Sequence, residues 1–256
     1  MKIWRKYQDY LFNGEWHIHT NFTDGTGSIA EYSEKAVELG IPLLAFTEHV
    51  RKELNYDFRQ FLNEINIARR NFPSLIILSG CEAKVLPDGK LNCPSHILEK
   101  VDYKLFAFHS FPVNIEKYIL SIKNVINNYD IDTWAHPGLF LKKNPNLTMP
   151  ENELNNIFKI MSLNKISLEI NLKYNLPQID WIKKYKSISQ DGLLIFGGDI
   201  HSIEDLYISW QIKQNLQKKW NNLNTKERDS QLFEVWFIEN YPNSVKIMKT
   251  NPDYQY

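Results

Sequence analysis

Short runs of apolar residues alternate along the chain with stretches whose apolar positions recur every three to four residues. The runs read as strands buried on both faces, and the stretches as amphipathic helices. "WHIHT" (16–20) predicts a first strand. Residues 28–40 predict a helix, with Ser28 as N-cap and Gly40 as the stop. "IPLLAFTEH" (41–49) predicts the second strand. A helix follows over 56–73, with Phe58, Phe61, Leu62, Ile65 and Ala68 on one face. "SLIILSGCE" (74–82) is the third strand, and "KVLPDGKLNC" (84–93) a hairpin turning at Asp88-Gly89. Strands are predicted again at 103–110, 131–138, 166–171 and 193–199, with helices at 115–128, 151–164, 179–192 and 202–220.

Seven βα repeats with continuously apolar strands predict a parallel sheet covered by helices. A TIM-like barrel fits the length, and an open doubly wound sheet is the alternative that pattern alone leaves standing. No Gly-, Pro- or Ser-rich linker, low-complexity tract or internal repeat interrupts the series. The segment after Trp220 is polar and less periodic, and reads as a terminal extension of the same domain.

Composition narrows the function. The 256 residues are 43% hydrophobic, enough for a large core. Thirty basic residues balance thirty acidic ones, so the net charge is zero and nucleic acid is a poor candidate partner. A small phosphorylated molecule needs only a few local cations and stays open. Two cysteines, Cys81 and Cys93, make no disulfide framework. No run approaches the roughly 18 apolar residues of a membrane span, and the N-terminus lacks a signal-peptide core. A soluble cytoplasmic protein is expected; its oligomeric state is not legible.

The polar residues carry the chemistry. Six of the seven histidines, His17, His19, His49, His109, His136 and His201, fall at or just after predicted strand ends. Asp24 lies in the loop after the first strand, Glu82 closes the third and Asp199 the seventh. Each alone is ordinary: His17 and His19 share a side of any strand by alternation, His49 could cap a turn, and His109 could be a satisfied core histidine. Together they are informative, because strand ends of a parallel α/β sheet converge on one face. Mixed imidazole and carboxylate donors suit zinc, manganese or iron. His96 fits no such position, and Cys81, alternating against Glu82, is expected in the core.

The order "HIHTNFTDG", "TEH", "GCE", "FHS", "AHPG", "GDIHS" resembles the PHP (polymerase and histidinol phosphatase) family, over about residues 13 to 205. The resemblance implies a distorted (βα)7 TIM-like barrel, 1–256 forming a single domain with a C-terminal helical extension from about 220. It also implies two or three divalent metal ions (manganese, zinc or iron) at the strand ends. By resemblance, His17, His19, Glu82 and Asp199 hold one ion, Glu82, His109 and His136 a second, and Asp24, His49 and His201 a third. Two positions depart from some members: the family's Thr-Asp-His is "TEH" here, and Asp24 stands where some members have histidine. "SLEIN" resembles the sixth strand and points to Glu169 or Asn171 near the site rim.

The implied reaction is phosphate monoester hydrolysis, by attack of a hydroxide shared between ions. Glu82, Asp199 and His201 are then the catalytic residues, with Asp199, His201 or a bound water protonating the leaving alkoxide. Arg51, two residues past His49, is the first candidate to grip substrate phosphate; Lys84 and Lys173 are others. Histidinol phosphate, a nucleotide or a sugar phosphate would be the small-molecule partner. The alternatives are a phosphodiesterase or exonuclease acting on nucleotides, and a metal-stabilised binding protein without turnover.

Overall fold

The computed structural model describes residues 2–189 and 192–249. Seven parallel strands form one sheet in the order β1 to β7. They are β1 Glu15–Ile18, β2 Leu43–Val50, β3 Ile76–Lys84, β4 Tyr103–Ala107, β5 Thr133–Trp134, β6 Ser167–Asn171 and β7 Leu194–Gly197. The sheet nearly closes on itself. Just past β7, Ile200 bridges Ile18 in parallel, with His19 N donating to Ile200 O at 2.8 Å and Ile200 N to His17 O at 2.9 Å. The chain therefore folds as a (βα)7 TIM-like barrel, and the open doubly wound alternative is excluded.

The helices are α1 Ile29–Leu39, α2 Phe58–Asn71, α3 Ser95–Lys100, α4 Ile115–Asn128, α5 Leu139–Lys143, α6 Glu151–Leu163, α7 Ile179–Ile188, α8 Ile203–Asn221, α9 Thr225–Asp229 and α10 Phe233–Lys249. Local signals set the ends of several. Ser28 and Glu31 form a reciprocal capping box on α1, and Gly40 closes it in the left-handed conformation (φ 71°). Asp57 caps α2 through the backbone amides of Arg59 and Gln60. The hairpin is present in small form: Val85 bridges Leu91, and Gly89 donates to Leu86 O at 2.9 Å.

Two apolar layers result. One fills the barrel: Trp16, Leu43, Ala45, Leu78, Leu105, Ala107, Ala135 and Ile195, with Trp4 and Tyr103. The other lies between strands and helices, with Leu44, Phe46, Phe61, Ile122, Phe158 and Phe237. Cys81 belongs to this second layer and is fully buried, as expected. Trp4 comes from a 3-10 helix (Ile3–Tyr10), absent from the sequence reading, and packs edge-on against Trp16 and Tyr103 at 6.4 and 6.3 Å. Burying each such ring contributes on the order of 2–3 kcal/mol.

Several further elements differ from expectation: α3 was not predicted, and β4 stops at Ala107 rather than at 110. β5 is two residues long rather than eight, because His136 turns to φ 32° and leaves the sheet. β7 ends at Gly197, and Asp199 turns out at φ 51°. α5 sits inside the connection after β5, where periodicity gave no helix. The extension after Trp220 is helical through α9 and α10, while 250–256 and residues 190–191 lie outside the described residues. α10 docks on the barrel: Phe237 meets Phe12 and Phe196, and Tyr241 donates to Leu172 O at 2.6 Å. Among the described residues no helix is long and apolar enough to cross a membrane.

Candidate metal centre

The first strand sets the floor of the site. Glu15 pairs with Leu44 and Ile18 with Phe46, so three steps on β1 face two on β2. This bulge breaks simple alternation: Trp16 joins the barrel interior and Ile18 the outer layer. His17 and His19 face each other, Nε2 to Nε2, at 3.1 Å. Both side chains are fully buried.

Glu82, from β3, lies at the middle. Its Oε1 is 2.8 Å from His136 Nε2 and 3.7 Å from His17 Nε2. Its Oε2 is 2.9 Å from His49 Nδ1, 3.2 Å from His109 Nε2 and 3.6 Å from His19 Nε2. Asp199 Oδ1 completes the inner group, 3.5 Å from His19 Nε2 and 3.8 Å from His17 Nε2. Towards solvent, Asp24 Oδ2 is 3.2 Å from His49 Nε2 and 3.5 Å from His201 Nε2. Asp24 is the open edge, its side chain 53% exposed against 1% for Glu82. All nine residues singled out at strand ends are thus in one place. His49 differs from the simple partition, since one ring nitrogen faces Glu82 and the other Asp24.

Electrostatics matches a cation-binding set. Burial raises the Glu82 carboxyl, but His109, His136 and His17 outweigh it and hold Glu82 well below the usual carboxylate range. Asp199 and Asp24 are likewise held down by neighbouring rings, each against the cost of burial. Burial pulls His17 down, yet Glu169 and Glu82 raise it well above an ordinary imidazole. His49, opposed by burial in the same way, is raised to about 9 by Asp24 and Glu82. For His19, burial and the neighbouring His49 and His17 rings outweigh Asp199 and Glu82 and take it down to about 4. A divalent cation held by these carboxylates and rings would take the place of the protons on His17 and His49.

Hydrogen bonding makes the same point. Glu82 Oε2 and the Nδ1 atoms of His19, His49 and His109 are buried without a properly directed partner. Buried polar atoms are rarely left so. Three overlapping groups have ligand atoms close enough to share an ion: His17, His19 and Glu82; His49, Glu82 and His109; His19, Asp24, His49 and His201. The donor set fits divalent ions.

Several supports were not visible beforehand. Glu169, expected at the rim, is inside: Oε1 accepts from His17 Nδ1 at 2.6 Å, and Oε2 from the His136 backbone N–H and, at 3.1 Å, from Asn171. Glu48, the variant residue of "TEH", points away from His49 and accepts from Thr20 N (2.9 Å) and Thr23 Oγ1 (2.5 Å), bracing the loop that carries Asp24. Its burial pushes it up to about 7, against those hydrogen bonds. Glu15 accepts from Gly198 N at 2.5 Å, just before Asp199, and pairs with buried Lys213 at 3.0 Å. His136 and Asp199, both non-glycine residues at positive φ, store backbone strain where such strain tends to be functional.

The three candidate phosphate grips are placed differently. Lys173 Nζ lies 3.3 Å from Asp199 Oδ2 and 3.2 Å from His201 Nδ1. Lys84 Nζ donates to Ser110 Oγ at 2.6 Å, beside His109. Arg51 turns its guanidinium onto the carbonyl of Val50 at 2.8 Å.

Known proteins are similar to this chain in sequence and in fold. The chain is 27% identical over 203 residues to the DNA polymerase/3'-5' exonuclease PolX of Bacillus subtilis, covering 75% of this chain and 35% of that protein. It is 29% identical over 127 residues to a probable phosphatase of Clostridium acetobutylicum, covering 48% and 52%. The chain thus spans between a third and about half of these relatives. Its fold superposes on a histidinol phosphate phosphatase from Lactococcus lactis, solved with zinc, L-histidinol and phosphate, with a TM-score of 0.62 at 16% identity, covering 82% and 94%. The PHP domain model matches residues 15–231, the span from the start of β1 to just past α9 that holds all nine converging side chains, and the chain belongs to the PHP domain family.

Proposed function

We propose that this protein is a metal-dependent phosphatase releasing phosphate from a small phosphate monoester. The observation that carries this is the buried Glu82 carboxylate, faced by five imidazoles within 3.7 Å and left with an oxygen lacking a directed hydrogen bond. His17, His19, Glu82 and Asp199 would hold one divalent ion, Glu82, His109 and His136 a second, and Asp24, His49 and His201 a third. Zinc, manganese and iron suit these donors. Such ions supply a water nucleophile near neutral pH and neutralise phosphoryl oxygens.

The chain's own residues do the rest. Glu169 orients His17, and Glu48 holds the Asp24 loop against β2. Lys173, 40% exposed beside Asp199 and His201, is placed to take a phosphoryl oxygen. As the water oxygen bonds to phosphorus, the bond to the alcohol oxygen breaks and the alkoxide needs a proton. Asp199 is a poor source of that proton, since neighbouring rings hold its carboxyl ionised. His201 would be engaged through Nε2 with the third ion and through Nδ1 with the Asp199 carbonyl, which leaves a bound water as the donor.

Phosphate release over a panel of phosphorylated metabolites, with manganese, zinc and iron supplied separately, tests this. Release that depends on metal is expected; none from any ester would overturn it. A second reading, an exonuclease, draws on the PolX relative; the zero net charge counts against it. A single-stranded oligonucleotide in the same panel separates the two. A cytoplasmic setting is part of the proposal, supported by the two free cysteines.

A further inference from the structure

A cavity of about 540 Å³ opens between the β5–α6 and β6–α7 connections. Pro137, Leu141, Leu147, Met149, Leu176 and Trp181 form its apolar wall. Lys142, Thr148, Asn175 and Gln178 supply its polar groups, and among the described residues no carboxylate lines it.

The cavity shares two strand ends with the metal centre. Pro137 directly follows His136, whose Nε2 is 2.8 Å from Glu82. Asn175 directly follows Tyr174, whose ring stands edge-on to the His136 ring at 5.7 Å. Lys142 ties the two connections together by donating to Tyr174 O at 2.6 Å. Consecutive Cα atoms lie about 3.8 Å apart, so the cavity begins one residue from His136 and Tyr174, on the face of the barrel that carries the strand ends. The volume falls in the range of small-molecule sites.

We propose that this cavity receives the alcohol half of the phosphate ester and selects a ring-sized, largely apolar alcohol, neutral or anionic. The proposal rests on the phosphatase reading for the identity of the ester. Its wall explains the selection. A polyol would leave hydroxyls unpaired against leucine, methionine and tryptophan. An amine-bearing alcohol would meet Lys142 and no acid. Hydrolysis then frees the alcohol from the cavity and phosphate from the metal face.

Binding and turnover test it separately. Calorimetry with naphthol, which has no phosphate, should show binding to the wild-type protein that weakens about tenfold or more in Thr148→Trp, a bulky substitution at an exposed rim position. Circular dichroism and metal content check that the variant is folded. Absence of naphthol binding, or equal binding in the two folded proteins, would overturn the proposal whether or not any ester is cleaved. In the wild type alone, kcat/KM should favour 2-phenylethyl phosphate, an alkyl ester whose leaving alkoxide is no better than theirs, over glycerol phosphate and choline phosphate by about tenfold or more. Comparable values for the three would also overturn it. If naphthol binds as expected and no ester releases phosphate, the phosphatase reading fails while the cavity's preference stands.

Discussion

Glu169 accepts a hydrogen bond from His17 Nδ1 at 2.6 Å, joining β6 to β1 across the barrel interior. The bond keeps the proton on Nδ1 when the ring is neutral and leaves the Nε2 lone pair directed at Glu82, His19 and Asp199. Glu169→Gln keeps the shape and removes the charge. Metal affinity should fall about tenfold to a hundredfold with the fold intact. Competition with a chromogenic chelator reads this directly, and an unchanged affinity would return Glu169 to a packing role.

Gly197 makes room for that pair. A Cβ there would lie 2.1 Å from Glu169 Oε1 and 3.0 Å from the His17 Cβ. Glu169 cannot swing aside without abandoning His17, His136 and Asn171. Gly197→Ala should therefore weaken metal binding as Glu169→Gln does, and cost about 1–3 kcal/mol of stability besides. Urea unfolding measures the second effect; wild-type stability and affinity together would show that the site tolerates the methyl.

Lys213 and Glu15 form a buried ion pair at 3.0 Å, 4% and 2% exposed. Lys213→Met leaves the Glu15 charge uncompensated and should destabilise the fold by about 3–5 kcal/mol. Adding Glu15→Gln, whose amide oxygen can accept from Gly198 N while its NH2 donates to Ser209 Oγ, should restore most of the loss. Denaturant titration of the single and double variants decides. A double variant as unstable as the single one contradicts the charge account.

Glu82 is the shared carboxylate and Asp24 the exposed one. Glu82→Gln should abolish metal binding at the inner positions and reduce turnover more than Asp24→Ala does. Elemental analysis beside turnover for both variants, with circular dichroism as the control, gives the comparison. Equal or reversed losses would place the bridge elsewhere.

Lys173 stands at the cluster, and Arg51 is turned onto Val50 O. Losing a charged hydrogen bond to phosphate costs about 1.5–3 kcal/mol, roughly tenfold to a hundredfold in kcat/KM. Lys173→Ala should show that loss and Arg51→Ala a smaller one, each with metal content unchanged. Steady-state kinetics on any cleaved ester ranks them, and a larger loss at Arg51 would mean that its loop folds over the substrate.

While closure into a barrel was implied by the motif order and shown by the Ile18–Ile200 bridge, the sequence by itself determined the parallel, helix-covered sheet and the nine side chains at its strand ends. Both are written in local terms: strands buried on two faces are continuously apolar, and parallel strands deliver their last residues to one face whatever lies between them. Ser28 and Gly40 marked their helix ends for the same local reason. The tertiary structure alone decided the supports. Glu169, Glu15 and Lys213 are ordinary residues of a strand or helix until β6, β1 and α8 meet. Histidine and aspartate reach positive φ more readily than most residues, but that His136 and Asp199 do so, shortening β5 and β7, is set by such long-range contacts. Trp4 plugs the barrel only because a ring of strands exists to be plugged. The cavity between the β5–α6 and β6–α7 connections belongs to the same class, since its walls come from segments more than twenty residues apart and no local pattern records the space between them.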